Sequence, residues 1–180
     1  MNSTDVYDIL LVGQMMKDRI ILQDETITAP GGAAYYAGLV VKRLGLQAAV
    51  ITKLAKTDEQ MLDEFRDAGI SIFPIYDTVT SRVELTYLSE HPDQRTATFP
   101  TIAPPFMLSE IPDIRAKIVH LCPLLRGEIS LDMLKTFRQR GNLLSVDAQG
   151  FMRGKTHEAE MLLVDWEEKT EGLRDVDILK

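Results

Sequence analysis

The sequence contains little cysteine and no long apolar run. Cys122 is the single cysteine in 180 residues, so no internal disulfide can form, and a reducing compartment is expected. No apolar run is long enough to cross a bilayer, and residues 1–5 lack the basic and apolar pattern of a secretion signal. We therefore expect a cytoplasmic protein that has no membrane partner.

Basic residues are also in short supply. The chain has twenty Lys and Arg residues and twenty-seven Asp and Glu residues, which gives a net charge of -7 and a pI near 5.0. Such a surface repels nucleic acid, so no nucleic-acid partner is expected. His91, His120 and His157 are far apart and share no metal-ligand spacing with Cys122, so no metal site is expected in this chain.

Apolar runs alternate with amphipathic segments along most of the chain. We predict strands at 7–12, 48–51, 70–73, 117–121, 143–146 and 176–179. We predict helices between Gly32 and Gly45, after a capping box at 57–60, between Ser130 and Gly141, and at 166–173. This alternation indicates an α/β fold with a mainly parallel sheet that helices cover on both faces.

Two segments follow a different pattern, that of antiparallel hairpins. Residues 19–22 and 26–28 flank the polar residues 23–25, and the alternating run 82–87 is followed by a polar turn at 91–94 and the strand 96–99. Lid strands at about 19–28 and 82–99 are therefore expected to form a small separate sheet, inserted at two points into the α/β body.

The glycine-rich start of the first helix resembles a known signature. The segment Ala29-Pro30-Gly31-Gly32-Ala33-Ala34-Tyr35-Tyr36-Ala37-Gly38, followed by Lys42-Arg43-Leu44-Gly45, is similar to the first motif of the ribokinase/PfkB carbohydrate kinase family. Gly13 and Asp18 precede it in the family's order, and residues 147–153 and 176–180 also look like family segments. The resemblance spans nearly the whole chain and covers roughly the first three-fifths of a family member of typical domain length.

The resemblance implies a fold and a set of site residues. Residues 1–180 would be the N-terminal part of a single ribokinase-like α/β domain, a three-layer sandwich with a β lid, incomplete at its C-terminus. Asp18 would accept hydrogen bonds from substrate hydroxyl groups, which a carboxylate can do twice, and Gly31 and Gly32 would let the backbone approach the substrate. Asp147 and Arg153 would lie near the nucleotide or its phosphates.

Each of these residues also has a simpler interpretation. Asp18 could be a solvated residue at the start of a strand, the Gly31-Gly32 pair could be only a loop, and Arg153 could lie in a plain surface loop. Tyr36 stands where the family usually has asparagine, so it would stack on a sugar face or pack under the lid rather than act as an amide. Ala55 and Thr57 replace the family's glycine and aspartate, and no function is assigned to them.

Two nucleotide-binding motifs are excluded by their spacing. The segment 150–156 resembles a P-loop but has three residues between its glycines where the motif needs four. No Gly-x-Gly-x-x-Gly follows the first strand, which disfavours a dinucleotide-binding oxidoreductase.

The family's catalytic Gly-x-Gly-Asp segment does not occur in the 180 residues. Its amides would hold the transferred phosphoryl group and its aspartate would accept the hydroxyl proton. The resemblance therefore implies a kinase that transfers the ATP γ-phosphoryl group to a sugar or polyol. This chain would supply the substrate-binding part, contain no catalytic residue, bind ATP and Mg²⁺ weakly or not at all, and be inactive alone.

Two other interpretations stay open. The chain could be a non-catalytic binding or dimerisation module derived from a sugar kinase, with a homodimer formed through the lid, since lid sheets have exposed edges. It could also be a fragment that folds only when its sheet edge pairs with another copy.

Overall fold

The computed structural model describes residues 6–89, 91 and 94–180, and these form an α/β body with two small additional sheets. The strands are, in chain order, β1 Tyr7–Val12, β2 Met16–Ile21, β3 Thr26–Gly31, β4 Ala48–Ala55, β5 Ser71–Asp77, β6 Ser81–Tyr87, β7 Arg95–Thr101, β8 Ala116–Leu121, β9 Leu143–Val146, β10 Arg153–Lys155, β11 Met161–Leu163 and β12 Ile178–Leu179. The α-helices are α1 Ala33–Arg43, α2 Asp63–Asp67, α3 Leu131–Gln139, α4 Gln149–Met152 and α5 Lys169–Gly172. Short 3-10 turns cover Lys56–Leu62, Leu108–Glu110 and Leu173–Asp175.

The main sheet has six parallel strands in the order β12-β9-β8-β1-β4-β5. After β1, the next two strands of this sheet, β4 and β5, are added on one side of β1. The later strands β8, β9 and β12 are added on its other side. The strand order therefore reverses between β1 and β8. In open α/β sheets the crevice beyond the carboxyl ends of the strands at such a reversal is where ligands bind.

Two apolar layers cover the two faces of this sheet, because successive strand residues point to opposite sides. Leu10 and Val12 of β1 pack in the layer that contains α3, whereas Leu11 packs in the layer that contains α1 and α2. All three side chains are fully buried. The predicted three-layer α/β class is therefore confirmed.

The lid is a four-stranded sheet in the order β3-β2-β6-β7. Both hairpins are antiparallel, and a parallel β2–β6 pairing joins them. Met16, Val83 and Phe99 form a small buried cluster with Leu125 of the body. The predicted separate lid sheet of two antiparallel hairpins is present, but the pairing between the hairpins is parallel and the strands extend beyond the predicted limits.

Three buried polar side chains connect the lid to the body. The Glu128 carboxylate accepts hydrogen bonds from the backbone N–H groups of Gln14, at 3.1 Å, and Leu124, at 2.5 Å. The Ser81 hydroxyl donates to the Gln14 side-chain oxygen and accepts from the Ala103 N–H at 2.8 Å. Burial raises the pKa of Glu128 to about 7, against the lowering effect of its backbone hydrogen bonds.

A third hairpin, β10–β11, lies against the lid and was not predicted. The Phe99 N–H donates to the Ala159 carbonyl at 2.8 Å, and Thr98 forms an antiparallel bridge with Glu160. The β10–β11 hairpin and strand β7 of the lid are therefore hydrogen-bonded to each other.

Several local predictions need correction. The segment 57–60 does not cap a helix, because the N-cap of the 3-10 turn is Ala55 and no side chain caps it. Asp58 instead pairs with Lys17 of the lid at 2.6 Å. Pro30 and Gly31 do not end the hairpin but belong to β3. The helix predicted at 166–173 is confined to α5 and the 3-10 turn that follows it.

Other local predictions are confirmed or fall outside the described residues. Ser130 caps α3 and accepts the Met133 N–H at 3.3 Å. Pro92 and Asp93, at the centre of the predicted 91–94 turn, lie outside the described residues. Across the described part of the chain, no helix has the length and apolar character needed to span a bilayer.

Candidate functional site

A cavity of about 810 Å³ lies between the lid and the carboxyl ends of β8, β9 and β12. This is the crevice at the reversal of strand order. Its volume is in the usual range for small-molecule sites, about 300–1,000 Å³. The lid contributes Asp18 and an apolar underside, and the body contributes polar residues that follow the parallel strands.

Asp18 lies in the middle of β2, not at the start of a solvated strand, and its side chain faces the cavity. It is 8% exposed, and its Oδ1 atom is buried without a hydrogen-bond partner among the described residues. Burial raises the pKa of Asp18 from 3.8 to about 6. A buried carboxylate oxygen that lacks a donor is costly, and a ligand that brings a hydroxyl group would supply one.

Gly31 and Gly32 lie beside Asp18, and the backbone there has no room for a side chain. A Cβ atom on Gly31 would overlap the Asp18 carboxylate. Gly32 has a φ of +103°, and a Cβ there would come within 2.7 Å of the Gln14 carbonyl oxygen. The glycine pair therefore does more than start a helix, because it makes space for the carboxylate and lets β3 turn into α1.

Tyr36 projects from the first turns of α1 into the same cavity and is half exposed. Its ring meets Tyr35 edge-on, with ring centroids 5.2 Å apart. Partial burial raises the pKa of the Tyr36 hydroxyl, and the negative charge of Asp18 adds to this effect. Tyr36 therefore offers the cavity an aromatic wall close to the carboxylate.

Asp147 and Arg153 line the same cavity from elements outside the lid. Asp147 follows β9, is buried, and forms an ion pair with Lys180 at 3.5 Å. Arg153 begins β10 and donates to the Gln149 side-chain oxygen at 2.9 Å, so it does not lie in a surface loop. Burial lowers the pKa of the Arg153 guanidinium, and the nearby Asp147 charge opposes this shift.

All six residues predicted from the sequence are thus brought to one place. Asp18, Gly32, Tyr36, Asp147 and Arg153 line the cavity, and Gly31 packs against the Asp18 carboxylate.

Sequence reasoning missed His120 and Arg95, which line the cavity as well. The His120 ring is hydrogen-bonded to the Ser145 hydroxyl at 2.9 Å, and burial lowers the pKa of the ring, against the opposing effect of the Asp147 charge. Neither residue belongs to a motif. The alternation of the 95–99 strand was the signal for Arg95, because it places that residue on the same face as Ala97 and Phe99.

Comparison with solved structures gives matches along almost the whole chain. A pyrophosphate-dependent kinase in the ribokinase family, solved as a sulfate complex, superposes with a TM-score of 0.87 at 30% identity over 95% of this chain and 60% of its own. A structure described as a pyrophosphate-dependent ribokinase-family kinase with a pyrophosphate analog and myo-inositol has a TM-score of 0.86 at 28% identity, with the same coverage. A nucleoside kinase of Burkholderia thailandensis in complex with inosine reaches 0.69 at 17% identity, covering 95% of this chain and 59% of its own, which reflects the fold alone.

No protein-family model matches the chain, and no curated protein matches it significantly. The fold is nevertheless that of the ribokinase-family kinases. The resemblance of this chain to the ribokinase family is confirmed, and the chain spans about 60% of the length of the two pyrophosphate-dependent kinase structures.

Proposed function

We propose that this chain is the substrate-binding part of a kinase that phosphorylates a hydroxyl group of a sugar or polyol. Asp18 holds two neighbouring hydroxyl groups of the acceptor, and the Gly31-Gly32 backbone allows the acceptor to come close. Tyr36 and the underside of the lid cover it. The proposal is supported by the kinase neighbours and by the chemistry of the cavity.

The Asp18 carboxylate carries this proposal. Asp18 lines a ligand-sized cavity, and its Oδ1 atom is buried and has no donor among the described residues. A neutral hydroxyl group satisfies it without bringing a second charge into the cavity. Charge-assisted hydrogen bonds of this kind are about twice as strong as neutral ones.

The apolar lid underside adds to the description of the acceptor. Val83, Leu85, Ala97 and Phe99 of the lid line the cavity on one side. A ring compound presents C–H groups on its face and hydroxyl groups at its edge, so it suits an apolar cover next to a carboxylate. We therefore propose a cyclic polyol or sugar as the acceptor, and myo-inositol, bound in one of the neighbouring structures, is the first compound to test.

The donor is ATP in our proposal, with pyrophosphate as the alternative that the neighbours suggest. Magnesium would shield the donor phosphates. Within the described residues no group of three or more His, Cys, Asp or Glu side chains converges, and Asp147 is paired with Lys180. These residues do not fit a magnesium site, and no step is assigned to one. The role of this chain is to bind and orient the acceptor hydroxyl.

Isothermal titration calorimetry of the 180-residue chain with myo-inositol tests the proposal. We expect saturable binding that Asp18→Asn weakens by at least about tenfold, the cost of one charge-assisted hydrogen bond. Asp24→Asn is the matched control, because Asp24 is exposed in the turn of the same hairpin. Equal affinity in the wild type and Asp18→Asn, or no binding of any polyol or sugar in a panel, would contradict the proposal.

A second measurement tests whether the chain is inactive alone. We expect no phosphorylated product from a polyol and ATP or pyrophosphate, because the chain has no Gly-x-Gly-Asp segment to hold the phosphoryl group and accept the proton. ATP-dependent phosphorylation by the pure chain, lost in Asp18→Asn, would refute this.

The second candidate, a dimerisation module, is favoured by the exposed edge of the lid. Strand β3 is an edge strand whose residues Thr26, Ile27 and Thr28 are exposed, uncharged and β-branched. Such an edge can pair with a second copy. Light scattering should then show a dimer that Ile27→Lys converts to a monomer, and a monomer at all concentrations would exclude this candidate.

A further inference from the structure

Two arginine side chains meet the cavity from different elements. Arg95 begins β7, and because Ala97 and Phe99 of the same strand also line the cavity, Arg95 belongs to the cavity face of the lid. Arg153 begins β10 in the hairpin that is hydrogen-bonded to β7, and it lines the same cavity. The Phe99–Ala159 backbone hydrogen bond joins the two elements, so their relative position is fixed by the fold.

Neutral groups orient both guanidinium groups. Arg95 donates to the Tyr87 hydroxyl at 2.9 Å, and Arg153 donates to the Gln149 side-chain oxygen at 2.9 Å. Within the described part of the chain, no carboxylate lies within ion-pair distance of either group, whereas fourteen other cation–carboxylate contacts do form. Among the described residues neither guanidinium group is therefore held in a direct ion pair, and each keeps N–H donors that these hydrogen bonds do not use.

The cavity lining has a net positive charge, whereas the chain as a whole is negative. The lining contains Arg95, Arg153 and Lys180 against Asp18 and Asp147, three cations against two carboxylates, whereas the chain as a whole has a net charge of -7. Lys180 and Asp147 form an ion pair with each other. Burial lowers the pKa of Arg153, the nearby Asp147 charge opposes this shift, and the positive charge of Arg95 adds a smaller lowering effect, so the two like charges lie near enough to interact.

We propose that Arg95 and Arg153 form a phosphate-binding subsite in the same cavity as Asp18. Guanidinium groups bind phosphate through two parallel hydrogen bonds, and a phosphate placed between two of them removes their repulsion. The inference deepens the proposed function and rests on it for the acceptor at Asp18. The phosphate group belongs either to a phosphorylated polyol or to the phosphoryl donor.

Calorimetry at fixed ionic strength tests the subsite with inorganic phosphate, pyrophosphate, myo-inositol and an inositol monophosphate as probes. We expect at least one phosphate compound to bind, and Arg95→Gln and Arg153→Gln each to weaken it by about tenfold. Arg126→Gln is the matched control, because Arg126 pairs with Glu167 at 3.0 Å and does not line this cavity. Arg153→Lys should recover part of the affinity, and circular dichroism checks that each variant is folded.

The same titrations separate the two sources of the phosphate. If it belongs to the acceptor, the inositol monophosphate binds more tightly than either inorganic phosphate or myo-inositol, and both Asp18→Asn and Arg153→Gln weaken it. If it belongs to the donor, pyrophosphate binds as tightly in the presence of saturating myo-inositol as without it, and Asp18→Asn leaves its affinity unchanged.

Failure of the subsite differs from failure of the proposed function. Absence of binding by all the phosphate probes, or equal binding in the wild type and both arginine variants, overturns the subsite even when myo-inositol binds through Asp18. Loss of myo-inositol binding alone overturns the acceptor proposal, because inorganic phosphate binding at the arginines does not depend on Asp18.

Discussion

Asp18 and Gly31 are diagonal neighbours on adjacent strands of the lid, so close that a methyl group on Gly31 would overlap the carboxylate. In the β2–β3 register Asp18 faces Ala29 and Gly31 faces Met16, which places both residues on the cavity side. Position 31 must therefore be glycine because the Asp18 side chain, thirteen positions earlier in the sequence, occupies the space that a Cβ atom would need.

Gly31→Ala is expected to destabilise the chain by about 1–3 kcal/mol, because the added methyl group forces the carboxylate or the strand to move. The loss should be smaller in an Asp18→Ala background, where the clash is absent, and a double-mutant cycle measured by urea unfolding gives this coupling. Additive effects of the two substitutions would show that the residues do not contact each other.

The stability of the chain should depend on pH through Asp18. Its folded pKa is about 6 against an ordinary value of 3.8, so the folded state favours the neutral acid, and the stabilisation present below about pH 4 is lost as the pH rises through 6. The difference in unfolding free energy between wild type and Asp18→Asn should therefore fall by up to about 3 kcal/mol between pH 4 and 7. The pH dependence that Glu128 contributes is the same in both proteins, so it cancels in the difference between their unfolding free energies. A difference in unfolding free energy that is constant with pH would contradict the prediction.

Polyol affinity should increase with pH, whereas the contribution of Asp18 to stability should decrease. The carboxylate accepts two hydroxyl hydrogen bonds, whereas the protonated acid accepts fewer and gives up the charge-assisted strength. Binding measured by calorimetry should therefore strengthen as the pH rises through about 6. An affinity that is flat between pH 5 and 7.5, or that weakens with rising pH, is the contrary result.

Glu128→Ala is expected to cost roughly 2–4 kcal/mol, because it leaves the buried N–H groups of Gln14 and Leu124 without acceptors. The loss should concentrate at the lid attachment, so hydrogen exchange in β2 and β6 should accelerate more than in β8 and β9. Glu168→Ala, at an exposed position, should change the unfolding free energy by less than about 0.5 kcal/mol. Similar effects of the two substitutions would show that the buried carboxylate does not anchor the lid.

Tyr36→Phe and Tyr36→Ala distinguish stacking from hydrogen bonding at the cavity wall. If the ring covers the acceptor, Phe should retain affinity within about twofold and Ala should lose about tenfold, since an aromatic contact is worth roughly 0.5–1.5 kcal/mol. Loss of affinity in Tyr36→Phe as large as in Tyr36→Ala would assign the role to the hydroxyl group.

The body and the lid could be predicted because hydrophobic spacing alone separates their elements. The run 7–12 has the continuous apolar pattern of a doubly covered strand, and 82–87 has the alternation of a half-covered one. Local sequence patterns failed where a tertiary contact was stronger. The 57–60 pattern predicted a helix cap, but Asp58 forms an ion pair with Lys17 of the lid instead.

The β10–β11 hairpin and Arg95 could not be predicted in the same way. Two strands of three residues each, Arg153–Lys155 and Met161–Leu163, are too short for a periodic pattern and depend on docking against β7. The role of Arg95 depends on the register of the lid, which places it opposite Tyr87, and a slip of one residue would turn it outward.

The parallel pairing of β2 with β6 has a mechanical consequence. The two central strands of the lid emerge from the body at distant points of the chain, after Gly13 and after Asp77, and the buried Gln14–Ser81 hydrogen bond joins them at that end. Because the lid is connected to the body at two places, it does not hinge about a single flexible loop. Any movement of the lid relative to the body is therefore expected to involve the four-stranded sheet as a unit, together with the β10–β11 hairpin that is hydrogen-bonded to it.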